Sequence, residues 1–291
     1  MPVITPSLNE QLIIAAFLDR ETARIDALIA KKERLIALLE EKRAALITQA
    51  VAKGLNPNVP MKDSGIEWLG EIPAHWETKR LKFVARLESG HTPSRSAPEY
   101  WVNCTIPWVS LADVGKLRDQ TVDVINETSE KISELGMANS AARLLPAGTV
   151  ILSRTASVGF SSILGCPMAT TQDFANWVCS SSLSPRYLLY CFRAMQGEFK
   201  RLTMGSTHQT IYMPDIAKFA VPVPPLAEQQ AICQHISNHC TSVDSLVGKI
   251  RGVNERLKER RAALITAAVT GQIDVRGEVA ERADYSLPTS S

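Results

Sequence analysis

The sequence predicts an α+β protein in which one mixed α/β domain is held between two long helices that pair as an antiparallel coiled coil. Residues 10–51 align without a gap to residues 228–269 at a constant offset of 218, down to the shared runs Arg43-Ala44-Ala45-Leu46-Ile47-Thr48 and Arg261-Ala262-Ala263-Leu264-Ile265-Thr266. Both copies are rich in Ala, Leu, Glu, Lys and Arg, and space their apolar residues at alternating steps of three and four, the mark of a helical seam. Between them lie short apolar runs punctuated by turn residues, as expected of a twisted sheet with helices against it.

The first helix occupies residues 1–56 and stops at Gly54, ahead of Asn56-Pro57; the second occupies 226–272 and stops at Gly271. The expected seam uses Leu18, Ile25, Leu28, Leu35, Leu39 and Leu46 on the first, and Ile236, Val243, Leu246, Val253, Leu257 and Leu264 on the second. A narrow apolar stripe on so long a rod needs a partner helix, and the other copy is the natural one. The region 57–225 forms the globular domain. It begins with a Pro- and Gly-rich connector that packs down through Ile66, Trp68, Leu69 and Ile72. Strands are expected at Leu81–Leu87, Ile106–Val109, Thr149–Leu152, Ser161–Leu164, Asn176–Cys179 and Phe219–Val223, and helices at Pro185–Met195 and Ile132–Met137. Residues 273–291 are a tail.

With 45% hydrophobic and 21% charged residues the chain is an ordinary globular one, and no run approaches the roughly 18 apolar residues of a membrane span. No secretory pattern opens it, so a cytoplasmic location without membrane contact is expected. The six cysteines form no C-x-x-C and are expected to be free thiols. Cys233, His235, His239 and Cys240 share a helix, with His235 and His239 at metal-ligand spacing, but the Glu of H-E-x-x-H is missing; core packing is the preferred account and no metal is expected. The sequence carries no phosphate loop, no nucleophile elbow and no methyltransferase [ND]-P-P-[YF], so neither catalysis nor a cofactor is expected. Net charge is only +2, yet six basic residues between Arg143 and Gln209 face two acidic ones, which suggests a basic face.

Specific motifs run through the chain in order: Ser64-Gly65-Ile66-Glu67-Trp68-Leu69-Gly70-Glu71-Ile72-Pro73-x-His75-Trp76, Gly90-His91-Thr92-Pro93-Ser94, Pro107-Trp108-Val109 with Asp113-Val114, Leu152-Ser153-Arg154-Thr155-Ala156-Ser157-Val158-Gly159, Ala169-Thr170-Thr171-Gln172, Gly205-Ser206-Thr207 with Ile211, and Val223-Pro224-Pro225-Leu226-x-Glu228-Gln229. With the helical repeat that frames them, they resemble the specificity (S) subunit of bacterial type I restriction-modification systems. The resemblance implies that the central domain is a target recognition domain for double-stranded DNA. It implies that the helices dock DNA methyltransferase (modification) subunits, with a restriction motor subunit in a full complex. A complete subunit alternates two recognition domains with two helices, whereas this sequence opens on a helix and holds one domain. A half-length form is therefore expected, working as a homodimer through the helices that reads an inverted repeat, as a pair with a different half-subunit, or as a one-domain monomer.

Base reading needs donors and acceptors on loops, with cations and hydroxyls to hold phosphates. The candidates are His91, Thr92, Ser94 and Arg95 in a tight turn; Ser153, Arg154, Thr155 and Ser157 after an apolar strand; Thr171 and Gln172; and Ser206, Thr207, His208 and Gln209 in the most polar loop. Arg154 suits guanine or a phosphate, with an intradomain ion pair as the competing role. Gln172 and Gln209 suit adenine. The alternative function is a helical assembly protein that docks modification subunits without reading sequence.

Overall fold

Helix α1 runs unbroken over Leu8–Lys53. It starts on a capping box, in which the Ser7 N–H donates to the Glu10 carboxylate at 3.1 Å and the Glu10 N–H to the Ser7 hydroxyl at 3.4 Å. It ends at Gly54, whose φ of +71° suits glycine and whose missing side chain leaves room for the Trp76 ring, 3.0 Å from where a Cβ would stand. The computed structural model describes residues 6–118, 120–204 and 209–276. It divides into two compact units, one of Arg43–Thr241 and one of Met1–Lys42 with Ser242–Ser291.

In the larger unit the strands β1 (Met61–Asp63), β2 (Glu71–Pro73), β3 (Glu77–Arg80), β4 (Ala85–Ser89) and β5 (Ile106–Val109) precede β6 (Val124–Ile125), β7 (Glu130–Ile132) and helix α2 (Glu134–Ala138). Then come β8 (Val150–Ser153), β9 (Ser161–Leu164), β10 (Ala169–Thr170), β11 (Phe174–Cys179), α3 (Pro185–Ala194), α4 (Gln196–Thr203), α5 (Met213–Ile216), β12 (Ala220–Val223) and the start of α6 (Leu226–Val269). Among the described residues the central sheet has the order β4-β11-β8-β9-β6, and β10-β5-β7 form a second sheet. All four residues of β8 are buried because both faces of the sheet are covered. Val150 and Leu152 enter a core with Trp76, Trp177, Tyr187 and Phe192, whereas Ile151 enters another with Val109, Leu117 and Phe174. A strand covered on both sides reads as a continuous apolar run, which is why these strands were legible without alternation.

The expected strand at Leu81–Leu87 is displaced. Leu81–Phe83 form a 3₁₀ turn, with the Leu81 N–H donating to the Phe219 carbonyl at 2.7 Å, and the strand is Ala85–Ser89. Motif residues far apart in sequence meet where α6 begins. The Glu228 carboxylate accepts from Trp76 Nε1 at 2.9 Å and contacts His75 Nε2 at 2.8 Å. Fully buried Gln229 donates to the carbonyls of Ser182 and Pro224 and accepts from the Ser184 N–H. In the other copy of the repeat, Gln11 makes the matching local bond to the Pro6 carbonyl at 2.8 Å.

In the smaller unit α1 and α6 run antiparallel, because Asp26 pairs with Arg261 at 3.0 Å and Glu40 with Arg251 at 3.4 Å. The inward positions of α6 follow the three-and-four rhythm, with Val247, Ile250, Asn254 and Ala268 buried and Val243, Leu257, Arg261 and Leu264 half-buried. A third of the expected seam lies elsewhere. Leu18, Ile25, Leu39, Val243, Leu257 and Leu264 face inward, as Leu46 and Ile236 do in the larger unit, but Leu28, Leu35, Leu246 and Val253 are exposed. The alternate rungs fall one residue on, at Ile29, Ile36, Val247 and Asn254. Steps of three or four from Ile25 and Leu39 both land on an apolar side chain, so periodicity alone does not choose between them.

Candidate nucleic-acid interface

Strand β8 delivers Ser153 to the edge of the central sheet, and the chain turns away through Arg154–Gly159. Hydrogen bonds fasten this turn to the segments at Gln172–Asp173 and Gln209–Ile211. The Arg154 N–H donates to the Asp173 carbonyl at 2.8 Å and Arg154 Nε to the Gln172 carbonyl at 2.9 Å, while the Ile211 and Ala156 N–H groups donate to the carbonyls of Arg154 and Gln209, each at 2.8 Å. Thr155 and Thr210 form an isolated antiparallel bridge. Ala156 sits at φ +58°, a left-handed conformation uncommon for a residue with a Cβ, and such strain gathers at functional loops.

A fourth segment joins through β10. The His91 N–H donates to the Thr170 carbonyl at 3.0 Å, and the Thr92 hydroxyl donates to Gln172 Oε1 at 2.8 Å. This approach depends on Gly90, where a Cβ would stand 2.1 Å from the Thr170 carbonyl oxygen. His91, Thr92, Arg154, Thr155, Ser157, Gln172 and Gln209 are thus brought onto one rim, with His91, Gln172 and Gln209 exposed. The chemistry on offer is that of base edges and phosphates: two side-chain amides, several hydroxyls, an imidazole and one guanidinium.

Other candidates have structural partners. Arg154 aims its guanidinium at main-chain carbonyls, those of Gln172 and, at 3.4 Å, of Ile211. Thr171 is buried and bonds Asp173 at 3.0 Å, and Ser153 is fully buried, its hydroxyl without a partner among the described atoms. Arg95 lies 3.9 Å above the Trp101 ring and 3.1 Å from Glu130, a cation held by an aromatic face and a carboxylate. The Ser94 hydroxyl bonds Ser96 at 2.8 Å. Ser206, Thr207 and His208 lie outside the described residues.

The expected basic face does not follow from the run of cations. Arg143 pairs with Glu88 at 3.0 Å, buried Arg193 with Asp123 at 2.7 Å, and Arg201 with Glu198 at 2.6 Å. The partners come from distant segments for the first two, which a local charge count does not register. Sequence reasoning also passed over Tyr212 and Met204, 61% and 80% exposed, which stand on either side of the polar loop. Their signal was available: large apolar residues beside such a loop have no core to enter.

Residues 73–254 match the family model of the type I restriction modification DNA specificity domain, a stretch that includes the whole rim and the Glu228 and Gln229 contacts. The chain belongs to that family. It is 28% identical over 193 residues to the type I restriction enzyme MjaIX specificity subunit of Methanocaldococcus jannaschii, covering 66% of this chain and 43% of that one. As a specificity-domain protein it also shares its fold with solved chains. A chain from a type I R-M system aligns with TM-score 0.67 at 21% identity, over 93% of this chain and 62% of the other. The HsdS subunit from Thermoanaerobacter tengcongensis aligns with TM-score 0.53 at 19% identity, over 93% and 60%. The chain spans about half the length of the curated relatives it matches, 43% and 47% for two of them. No described helix is long and apolar enough to cross a membrane.

Proposed function

We propose that this specificity-domain chain reads a particular sequence in double-stranded DNA and directs DNA methyltransferase subunits to it, with a restriction motor subunit joining the same complex, while catalysing nothing itself. The observation that carries the proposal is the rim, where four polar segments distant in sequence are hydrogen-bonded into one surface with Gln172 and Gln209 outward. An assembly protein that only docked partners would have no use for strained, polar loops fastened together at a sheet edge.

The test is DNA binding by the chain with its methyltransferase subunit, followed by mapping of the methylated motif. Gln172→Ala and Gln209→Ala are each expected to weaken cognate binding by about 1–3 kcal/mol and to relax the motif at one position, with melting unchanged. Equal affinity of the unaltered chain for cognate and random duplexes would sink the proposal.

A further inference from the structure

Tyr212 is a large aromatic side chain held out from the rim rather than packed beneath it. Its predecessor Ile211 is buried and fixed to Arg154 by two bonds, the Ile211 N–H donating to the Arg154 carbonyl at 2.8 Å and Arg154 Nη1 to the Ile211 carbonyl at 3.4 Å. Tyr212 follows in extended backbone, at φ −78° and ψ 148°. Successive side chains along extended backbone point to opposite sides, so an inward Ile211 leaves Tyr212 outward. The Tyr212 carbonyl is fixed in turn, accepting from the N–H groups of Asp215 and Ile216 at 3.0 and 3.1 Å. The side chain itself is 61% exposed, and its hydroxyl bonds nothing among the described residues.

We infer that Tyr212 reads a thymine, by packing its ring against the C5-methyl group in the major groove. This rests on the DNA-reading function proposed above and names a further base contact within it. Base edges in the major groove offer hydrogen-bond donors and acceptors and a single apolar feature, the thymine methyl. Gln172 and Gln209 supply amides for the donors and acceptors, and the ring supplies the apolar surface that they lack. Gln209 and Tyr212 flank the Thr155–Thr210 bridge and Ile211, so one docking pose presents both to the same groove. With two side-chain torsions and a backbone held on both sides, Tyr212 loses little freedom on contact, which favours one defined pose over a loose one. A phosphate would engage the hydroxyl alone and leave the ring in water.

The chain with its methyltransferase subunit is titrated with duplexes carrying the mapped motif, each with one thymine replaced by uracil, which lacks only the methyl group. At one position the replacement is expected to weaken binding by the unaltered chain about three- to tenfold and binding by Tyr212→Ala not at all. On the unsubstituted motif Tyr212→Ala should bind about tenfold more weakly and Tyr212→Phe within about twofold, both with unchanged melting. The inference is overturned if no uracil position weakens the unaltered chain, or if Tyr212→Ala keeps every uracil effect. It is overturned too if Tyr212→Phe loses as much as Tyr212→Ala, which would put the hydroxyl on a phosphate. An equal loss by Tyr212→Ala on motif and random duplexes, or weaker association with the methyltransferase subunit, has the same consequence. Equal affinity of the unaltered chain for motif and random duplexes would instead bring down the DNA-reading function itself, and this inference with it.

Discussion

Arg154 shows how a residue type suited to one job is occupied by another. Its guanidinium has a fixed fork of donors, and here the fork closes on the carbonyls of Gln172 and Ile211 rather than projecting outward. Lysine, with a single donor head on a flexible stem, does not reproduce both bonds. Arg154→Lys is therefore expected to lower stability by about 1–2 kcal/mol and to weaken cognate DNA binding by releasing Gln172 and Gln209, although neither is altered. Differential scanning calorimetry together with DNA titration checks this; an unchanged melting temperature with lost binding would instead place the guanidinium on the DNA. Gly90 is the second such residue. A Cβ there would meet the main chain of β10, so Gly90→Ala should cost several kcal/mol and show as a large drop in melting temperature or as failure to fold.

At the level of elements, the two long helices were legible in the sequence as helices, as a repeat and in their terminating glycines. Which residues turn inward was legible only in part. Leu28 and Ile29 compete for one rung and Leu35 and Ile36 for the next, and both members of each pair are apolar, so the choice is made by the partner helix. Leu28→Asp should leave thermal melting within about 0.5 kcal/mol of the unaltered chain, whereas Ile250→Asp should strand a carboxylate in the interior and cost several kcal/mol. A large destabilisation from Leu28→Asp, seen by circular dichroism, would restore the other seam. The short strands β6, β7 and β10 had no comparable signal, because two or three residues do not establish a period.

For the whole molecule, the family and the architecture could be read from motif order, but the composition of the rim could not be read from residue types. The signal for DNA contact was polarity on loops, and Ser153, Thr171 and Arg95 share that signal while serving a buried hydroxyl, a turn and an aromatic stack. Long-range hydrogen bonds decide which polar group is left outward, and these depend on pairings such as β8 with β11 that no local pattern announces.

One pairing at the root of the domain bears on how such a molecule changes over time. Strand β3 lies antiparallel to β12 with Glu77 opposite Val223, and the Glu228 side chain reaches back to His75 and Trp76. The polypeptide therefore enters and leaves the recognition domain side by side, through a neck held by residues outside the rim. A domain joined by such a neck is a cartridge: its contents can be exchanged by recombination without lengthening, rotating or re-registering the helices. Only its footing must stay matched to the helices, chiefly Leu183 and Tyr187, which pack with Ile47 and Val51 of α1. A chimera carrying a relative's segment in place of residues 81–219, footing retained, is expected to keep the helical melting transition and acquire the donor's DNA target in one step.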